Sequence, residues 1–271
     1  MTNTGTGWER NKRTHFDEII VNYDKVRPGY PDKLIADAFA FAGNGKNALE
    51  IGAGTGKVTA PFVQARYNVT AVEIGGGMAE FLADKFSGCD NFNVIVSSFE
   101  DAQLEDNSYD IIYAGSAFHW VDAEIGCPKA FRLLKSGGVI TLFRYNVVSD
   151  YYADEFREAY EKHYFTYYTS KKWRDTDPNR DFTKPPEILE GYGFTDLRDY
   201  GFADVTIKLY EVTRMFTADE YIALCDTMAD NRGLPDSNRE ALYAEMREII
   251  AKHGGYMRED SVFQSYMGRK K

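Results

Sequence analysis

From about residue 31 to residue 146, short apolar runs alternate with stretches whose apolar residues recur every three or four positions. The runs read as strands at Ala48–Ile51, Val69–Ile74, Asn93–Val96, Tyr109–Ala114 and Val139–Phe143. An opening helix is expected with Pro31 in its first turn, Leu34, Ile35, Ala38 and Phe39 on its apolar face and Gly43 as its stop. Met78, Phe81, Leu82 and Phe86 fit a second helix. Cys127, Ala130, Phe131 and Leu134 fit a third, which Gly137-Gly138 is read as ending. Strand alternating with helix predicts an α/β fold, a parallel sheet with helices on both faces.

Past residue 146 the rhythm changes. Tyr152, Phe156, Ala159, Tyr160, His163, Tyr164 and Tyr167 make an aromatic stripe at helical spacing. It reads as part of a cap over the sheet, or as a buried helix face. A polar stretch from Ser170 to Asp181 follows, and Pro185-Pro186 restarts the chain. The expected organisation is therefore 1–146 as the N-terminal and ligand-binding half, 147–190 as an inserted helical cap, and 191–271 completing the same domain. In that last part Asp204–Val212 reads as a strand, and Thr217-x-x-Glu220 and Ser237-x-x-Glu240 read as capping boxes. Leu242, Met246, Ile249 and Ile250 form one helix face ended by His253-Gly254-Gly255. A strand near Ser261–Met267 is expected to close the sheet as an antiparallel edge.

Composition narrows the partners. The 271 residues carry 32 Lys+Arg against 42 Asp+Glu, a formal charge of −10, which argues against a nucleic-acid partner. A hydrophobic fraction of 44% is ample for a packed core. Cys89, Cys127 and Cys225 are too few and too scattered for a disulfide framework or a zinc cluster. The N-terminal residues show no apolar signal region, and no apolar run approaches the roughly 20 residues of a membrane span. The expectation is a soluble cytoplasmic protein; oligomeric state stays open.

The chemistry concentrates in Ala48-Leu-Glu50-Ile-Gly52-Ala53-Gly54-Thr55-Gly56-Lys57, a buried strand running into three alternating glycines and then a helix. Glycines permit positive φ and let a ligand approach the backbone. In the dinucleotide fold another glycine falls three places after the second; here that place holds Lys57. Glu73, ending the next strand 21 positions after Gly52, suits a ribose diol. Loop and acid together indicate an adenosine-like ligand.

These residues resemble the class I S-adenosylmethionine-dependent methyltransferases. Glu50–Gly56 is similar to that family's first motif and Glu73 to its ribose-binding acid. Ser97-Ser98-Phe99-Glu100-Asp101 resembles the adenine-contacting segment, with Ser98 standing where many relatives carry Asp, so that Glu100 or Asp101 becomes the substitute. Asp106–Asp110 and Leu133–Gly138 resemble the approaches to the fourth and fifth strands. A narrower likeness, to the trans-aconitate-methyltransferase-like branch, rests on Tyr23-x-x-x-Arg27-Pro-Gly-Tyr30-Pro31 and Ala117-Phe-His119-Trp120-Val-Asp122. The resemblance implies a mostly parallel seven-stranded sheet and S-adenosylmethionine as cofactor. It implies cofactor contacts from Glu50, Gly52, Ala53, Gly54, Thr55, Gly56, Glu73, Ile74, Met78, Ser98, Phe99, Glu100, Gly115 and Ser116. Gly75-Gly76-Gly77 is unusually glycine-rich beside them.

Direct methyl displacement needs alignment above all. His119, at the carboxyl end of the fourth strand, is the candidate catalytic residue, either as a base toward the acceptor or as a residue that only orients the loop with Trp120. Tyr23, Arg27, Tyr30, Trp120, Tyr145 and Asn146 are the further substrate-side candidates, with Arg27 a partner for an anionic group. No histidine or cysteine spacing suits a metal, and the nucleophile elbow and phosphate loop are absent. The expected activity is methyl transfer to a small molecule, a carboxylate or hydroxyl compound. The competing readings are an NAD-dependent oxidoreductase, opposed by Lys57, and a non-catalytic S-adenosylmethionine-binding module.

Overall fold

The structure is a computed structural model that describes residues 20–150, 153–164 and 196–271. Two helices come first, α1 (Ile20–Val26) and α2 (Asp32–Ala42). Pro31 takes the N-cap of α2, one place before the first turn where it was expected, and Gly43 at φ 79° closes the helix. Then follow β1 (Asn47–Ile51), α3 (Thr59–Gln64), β2 (Asn68–Glu73), α4 (Gly76–Lys85), β3 (Phe92–Val96) and β4 (Tyr109–Gly115). A short 3₁₀ turn at Phe118–Trp120 leads to α5 (Ala123–Leu133) and β5 (Leu134–Asp150). After α6 (Ala153–His163) and a 3₁₀ turn at Leu197–Tyr200 come β6 (Phe202–Thr217), α7 (Ala218–Cys225), α8 (Ala229–Arg232), α9 (Asp236–Lys252) and β7 (Tyr256–Lys270).

The strands form one seven-stranded sheet in the order β3-β2-β1-β4-β5-β7-β6. β3, β2, β1, β4 and β5 are parallel, and β7 runs antiparallel between β5 and β6. This is a Rossmann-like class I architecture. The chain winds outward from β1 to β3 and then crosses back to β4 beside β1. That reversal opens a crevice at the carboxyl ends of β1 and β4, where open α/β sheets hold ligands.

Each face is covered as the periodicity requires. Leu34, Ala38, Phe62, Val63 and Leu82 from α2, α3 and α4 pack with Ala48, Ala71, Ile111 and Tyr113 on one face. Cys127, Ala130 and Leu133 of α5 pack with Leu49, Ile112, Ile140 and Tyr266 on the other. Burial of each large apolar side chain contributes about 1.5–3 kcal/mol. A third core joins Phe156, Ala159 and Tyr164 of the α6 region to Ile222, Leu242, Met246 and Met257. Within the aromatic stripe Phe156, Ala159 and Tyr164 are packed, and its outer members Tyr152 and Tyr167 lie outside the described residues, as do Ser170–Asp181 and Pro185-Pro186.

Four expectations need correction. β7 is not an edge strand, because β6 pairs beyond it along almost its whole length. Ser237-x-x-Glu240 is not a capping box. α9 opens at Asp236, with Pro235 at the N-cap and no side-chain cap, whereas Thr217 and Glu220 do cap α7 reciprocally. Gly137-Gly138 does not end α5, which stops at Leu133; both glycines lie inside β5, Gly137 at φ 78° near a register shift against β4. Finally β5, β6 and β7 run to 17, 16 and 15 residues, far beyond the short apolar runs that announced them, because their outer halves carry polar and charged residues that interrupt the apolar signal.

Candidate active site

At the crevice lies a cavity of about 1070 Å³. Its floor is the turn after β1. Gly52 adopts φ 65°, and a Cβ there would stand 2.6 Å from the Cβ of Ala117, so the loop passes tight against the segment after β4. Gly56 has another purpose: its Cβ would meet Phe86 at 2.8 Å and Leu82 at 2.9 Å. It seats the loop on α4 and is absent from the cavity wall, unlike the other loop residues Gly52 to Thr55. Gly56 thus has a packing role against α4.

Glu73, ending β2, accepts the amide of Gly54 at 2.8 Å through Oε2 and that of Gly75 at 2.9 Å through Oε1. An ionised carboxylate has about four acceptor positions, and Glu73 faces the cavity. Glu50 also borders the cavity, but its carboxyl is engaged from behind. Thr59 Oγ1 donates to it at 2.5 Å and Tyr113 Oη at 3.0 Å. Burial pushes its pKa up to about 8 against those two hydrogen bonds, with nearby Glu73 adding to the rise. Glu50 is thus mostly protonated at neutral pH and anchors the loop through α3.

Beyond Glu73, Ile74 and Met78 border the cavity, and Ser97, Ser98, Phe99 and Glu100 form the next stretch of wall. Ser98 Oγ donates to Asp101 Oδ2 at 2.7 Å and accepts the Asp101 amide at 3.1 Å, which turns Asp101 back onto the serine and out of the wall. Opposite, Gly115 ends β4 and Ser116 follows it, and Tyr30 Oη and Ser116 Oγ share a 2.8 Å hydrogen bond.

His119 and Trp120 lie on the 3₁₀ turn, ring centroids 5.1 Å apart. His119 Nδ1 is buried without a hydrogen-bond partner. Burial, assisted by the charge of Arg144, lowers its pKa to about 3. A histidine held there is a neutral hydrogen-bonding group at pH 7 and a poor proton acceptor, which weighs against the base reading.

The N-terminal segment closes the cavity from above. Asp24 pairs with Lys85 at 2.8 Å, and Lys85 also donates to the Thr55 carbonyl at 2.8 Å. Asn22 donates to the Ala223 carbonyl at 3.1 Å. Arg27 donates through Nη1 to Tyr145 Oη at 3.1 Å and through Nη2 to the Thr227 carbonyl at 2.9 Å. Tyr23, Arg27, Tyr30, His119, Trp120, Tyr145 and Asn146 all border the same space.

The sequence reading missed the far wall: Arg144 and Val147 on β5, Tyr160 and Tyr164 from the α6 region, and Met228, Asp230 and Asn231 around α8. Arg144 and Val147 follow from the strand simply continuing; the others answer to no motif. Among the described residues no group of three or more His, Cys, Asp or Glu is placed to hold a metal ion, and no helix is long and apolar enough to cross a membrane. The three cysteines are free thiols.

Residues 49–142 match the methyltransferase-domain family. An uncharacterized methyltransferase of Schizosaccharomyces pombe is 27% identical over 242 residues, 87% of this chain and 86% of that protein. A solved protein of Anaeromyxobacter dehalogenans, proposed to be a type II methyltransferase, superposes with a TM-score of 0.59 at 18% identity, covering 90% of this chain and 97% of that one. Phosphoethanolamine N-methyltransferase 2 of Haemonchus contortus, solved with phosphomonomethylethanolamine and S-adenosylhomocysteine, gives 0.53 at 15% identity over 96% of this chain and 58% of that one. With the glycine loop and Glu73 already placed, the chain is an S-adenosylmethionine-dependent methyltransferase.

Proposed function

We propose that this chain, as an S-adenosylmethionine-dependent methyltransferase, moves a methyl group onto a small molecule bearing a carboxylate or a hydroxyl. The observation that carries the reading is the continuity of one cavity from Gly52–Thr55 and Glu73 to His119, Arg27 and Tyr145. Bound S-adenosylmethionine supplies a methyl carbon on a positively charged sulfur, open to in-line attack.

The residues present fit that group. Glu73, fixed by two amides at the cavity wall, is placed to accept the ribose hydroxyls. Ser97 to Glu100 form the wall beside the base. Aromatic faces at Tyr23, Tyr30 and Trp120 suit a sulfonium better than a lysine-lined pocket would. The ties of α1 to α4 and to the Ala223 carbonyl, and of Arg27 to the Thr227 carbonyl, hold the N-terminal segment over the cavity.

The character of His119 favours a carboxylate acceptor. A carboxylate is already ionised at pH 7 and needs no base, so a neutral histidine serves by orienting it. The likeness of Tyr23–Pro31 and Ala117–Asp122 to the trans-aconitate-methyltransferase-like branch supports the same class. A net charge of −10 supports a small-molecule partner over nucleic acid, and three free thiols suit the cytoplasm. The test is transfer of label from methyl-labelled S-adenosylmethionine to a panel of carboxylic acids and alcohols. Labelled ester from a carboxylic acid supports the reading; label appearing only in alcohols, or in neither class, contradicts the carboxylate assignment.

A further inference from the structure

Arg27 is a charge without a counter-ion. Its neighbours are the hydroxyls of Tyr145, Tyr23 and Tyr30 and the Thr227 carbonyl, and among the described residues no carboxylate pairs with it. Two of its three nitrogens are committed, while Nε is buried with no hydrogen-bond partner. Buried guanidinium groups are ordinarily met by an acid. Here the group borders the ligand cavity, so the missing anion belongs to a ligand.

The sheet explains how the fork is held. Side chains alternate along a strand, so Glu259, Ser261 and Phe263 of β7 share one face. Tyr145 of β5 pairs in register with Phe263, and Arg214 of β6 pairs with Glu259. The Tyr145 ring stacks on Phe263 at 5.1 Å, and the Arg214 guanidinium stands 5.4 Å from the Tyr145 centroid. Arg214 is itself fixed by an ion pair to buried Glu259 and a 3.3 Å hydrogen bond to Ser261, which in turn donates to Glu259 at 3.0 Å. The insertion of β7 between β5 and β6 therefore lines up Glu259, Arg214, Tyr145 and Arg27 in contact order.

We propose that Arg27 is a receptor for a ligand carboxylate, and that Arg214, held by Glu259, is a positioning residue that aims it through Tyr145. The proposal rests on the cavity being the cofactor-and-acceptor site. Two sources offer the same chemistry, the amino-acid end of the cofactor and the acceptor.

Calorimetric titration of wild type and Arg27→Gln separates them, using S-adenosylhomocysteine, its decarboxylated analogue, and then a series of mono-, di- and tricarboxylates added to the S-adenosylhomocysteine-saturated protein. If the cofactor supplies the anion, Arg27→Gln weakens S-adenosylhomocysteine roughly 10- to 100-fold and leaves the decarboxylated analogue unchanged. If the acceptor supplies it, both nucleoside probes bind normally and the response to carboxylates is lost. Wild-type affinity for every probe overturns the receptor. Arg27→Lys keeps the charge without the fork and serves if the glutamine variant does not fold; it should show a partial loss for the same probe alone, and an unchanged affinity overturns the proposal equally. Replacing Arg214 and Glu259 together with Met leaves no buried charge unpaired. That pair should weaken the same probe, and the loss should vanish in an Arg27→Gln background; a loss that persists there, or no loss at all, overturns the positioning role. Failure of wild type to bind S-adenosylhomocysteine at all would instead overturn the functional reading beneath the proposal.

Discussion

The carboxylate of Glu73 holds the amide of Gly54 at 2.8 Å, tying the end of β2 to the middle of the glycine loop. Nineteen residues of chain separate the two groups, and the parallel pairing of β1 with β2 brings them together. The acid thus shapes the loop as well as facing the cavity.

Glu73→Ala should weaken S-adenosylhomocysteine roughly 10- to 100-fold, since it removes a charged acceptor from the ligand and leaves two loop amides unanswered. Calorimetric titration measures it, and unchanged affinity would remove the ribose assignment.

Gly56→Ala should cost about 1–3 kcal/mol of stability, because the residue sits at φ 83° and its Cβ would overlap Phe86 and Leu82. Urea denaturation checks it. If the variant is as stable as wild type, the packing role given to Gly56 is wrong.

Glu50 and His119 place opposite signatures on the pH dependence of stability. Between its ordinary 4.5 and about 8, Glu50 keeps in the native state a proton that the unfolded chain releases. Its contribution is full below 4.5 and lost as pH rises toward 8. Glu50→Gln cannot undergo that loss, so its melting temperature relative to wild type should rise from roughly pH 5 to pH 8. A constant difference would show that Glu50 is ionised throughout.

For His119 the sign reverses. Below its ordinary 6.5 and down to about 3, the unfolded chain takes up a proton that the native state refuses, so stability is present above 6.5 and lost as pH falls. Its imidazole resonances should stay at their neutral positions from roughly pH 8 down to pH 5 in an NMR titration. A midpoint near 6.5 would return His119 to the candidate bases.

Much of this site was legible because its chemistry is local in sequence. Glycines at 52 and 54 followed by an acid at 73 read directly, since a βαβ unit brings the ends of consecutive strands side by side. The core helices were equally legible, for Leu34, Ala38, Leu82 and Ala130 bury at helical spacing. What failed was non-local. The position of β7 depends on pairing with the non-adjacent stretch of β6, Thr217 with Tyr256 and Phe202 with Lys270, and no periodicity reports a partner. Ser237 offered the right spacing for a cap, but α9 is capped at Pro235, two residues sooner, which leaves that serine inside the helix. Tyr160 and Asn231 reach the cavity only because α6, α7 and α9 share a third core, so no motif could mark them.

The most direct test of the account is calorimetric titration of the wild-type protein with S-adenosylhomocysteine and, separately, with NAD. The account predicts saturable binding of S-adenosylhomocysteine with one ligand per chain and no measurable heat from NAD. Saturable NAD binding without any response to S-adenosylhomocysteine would contradict it.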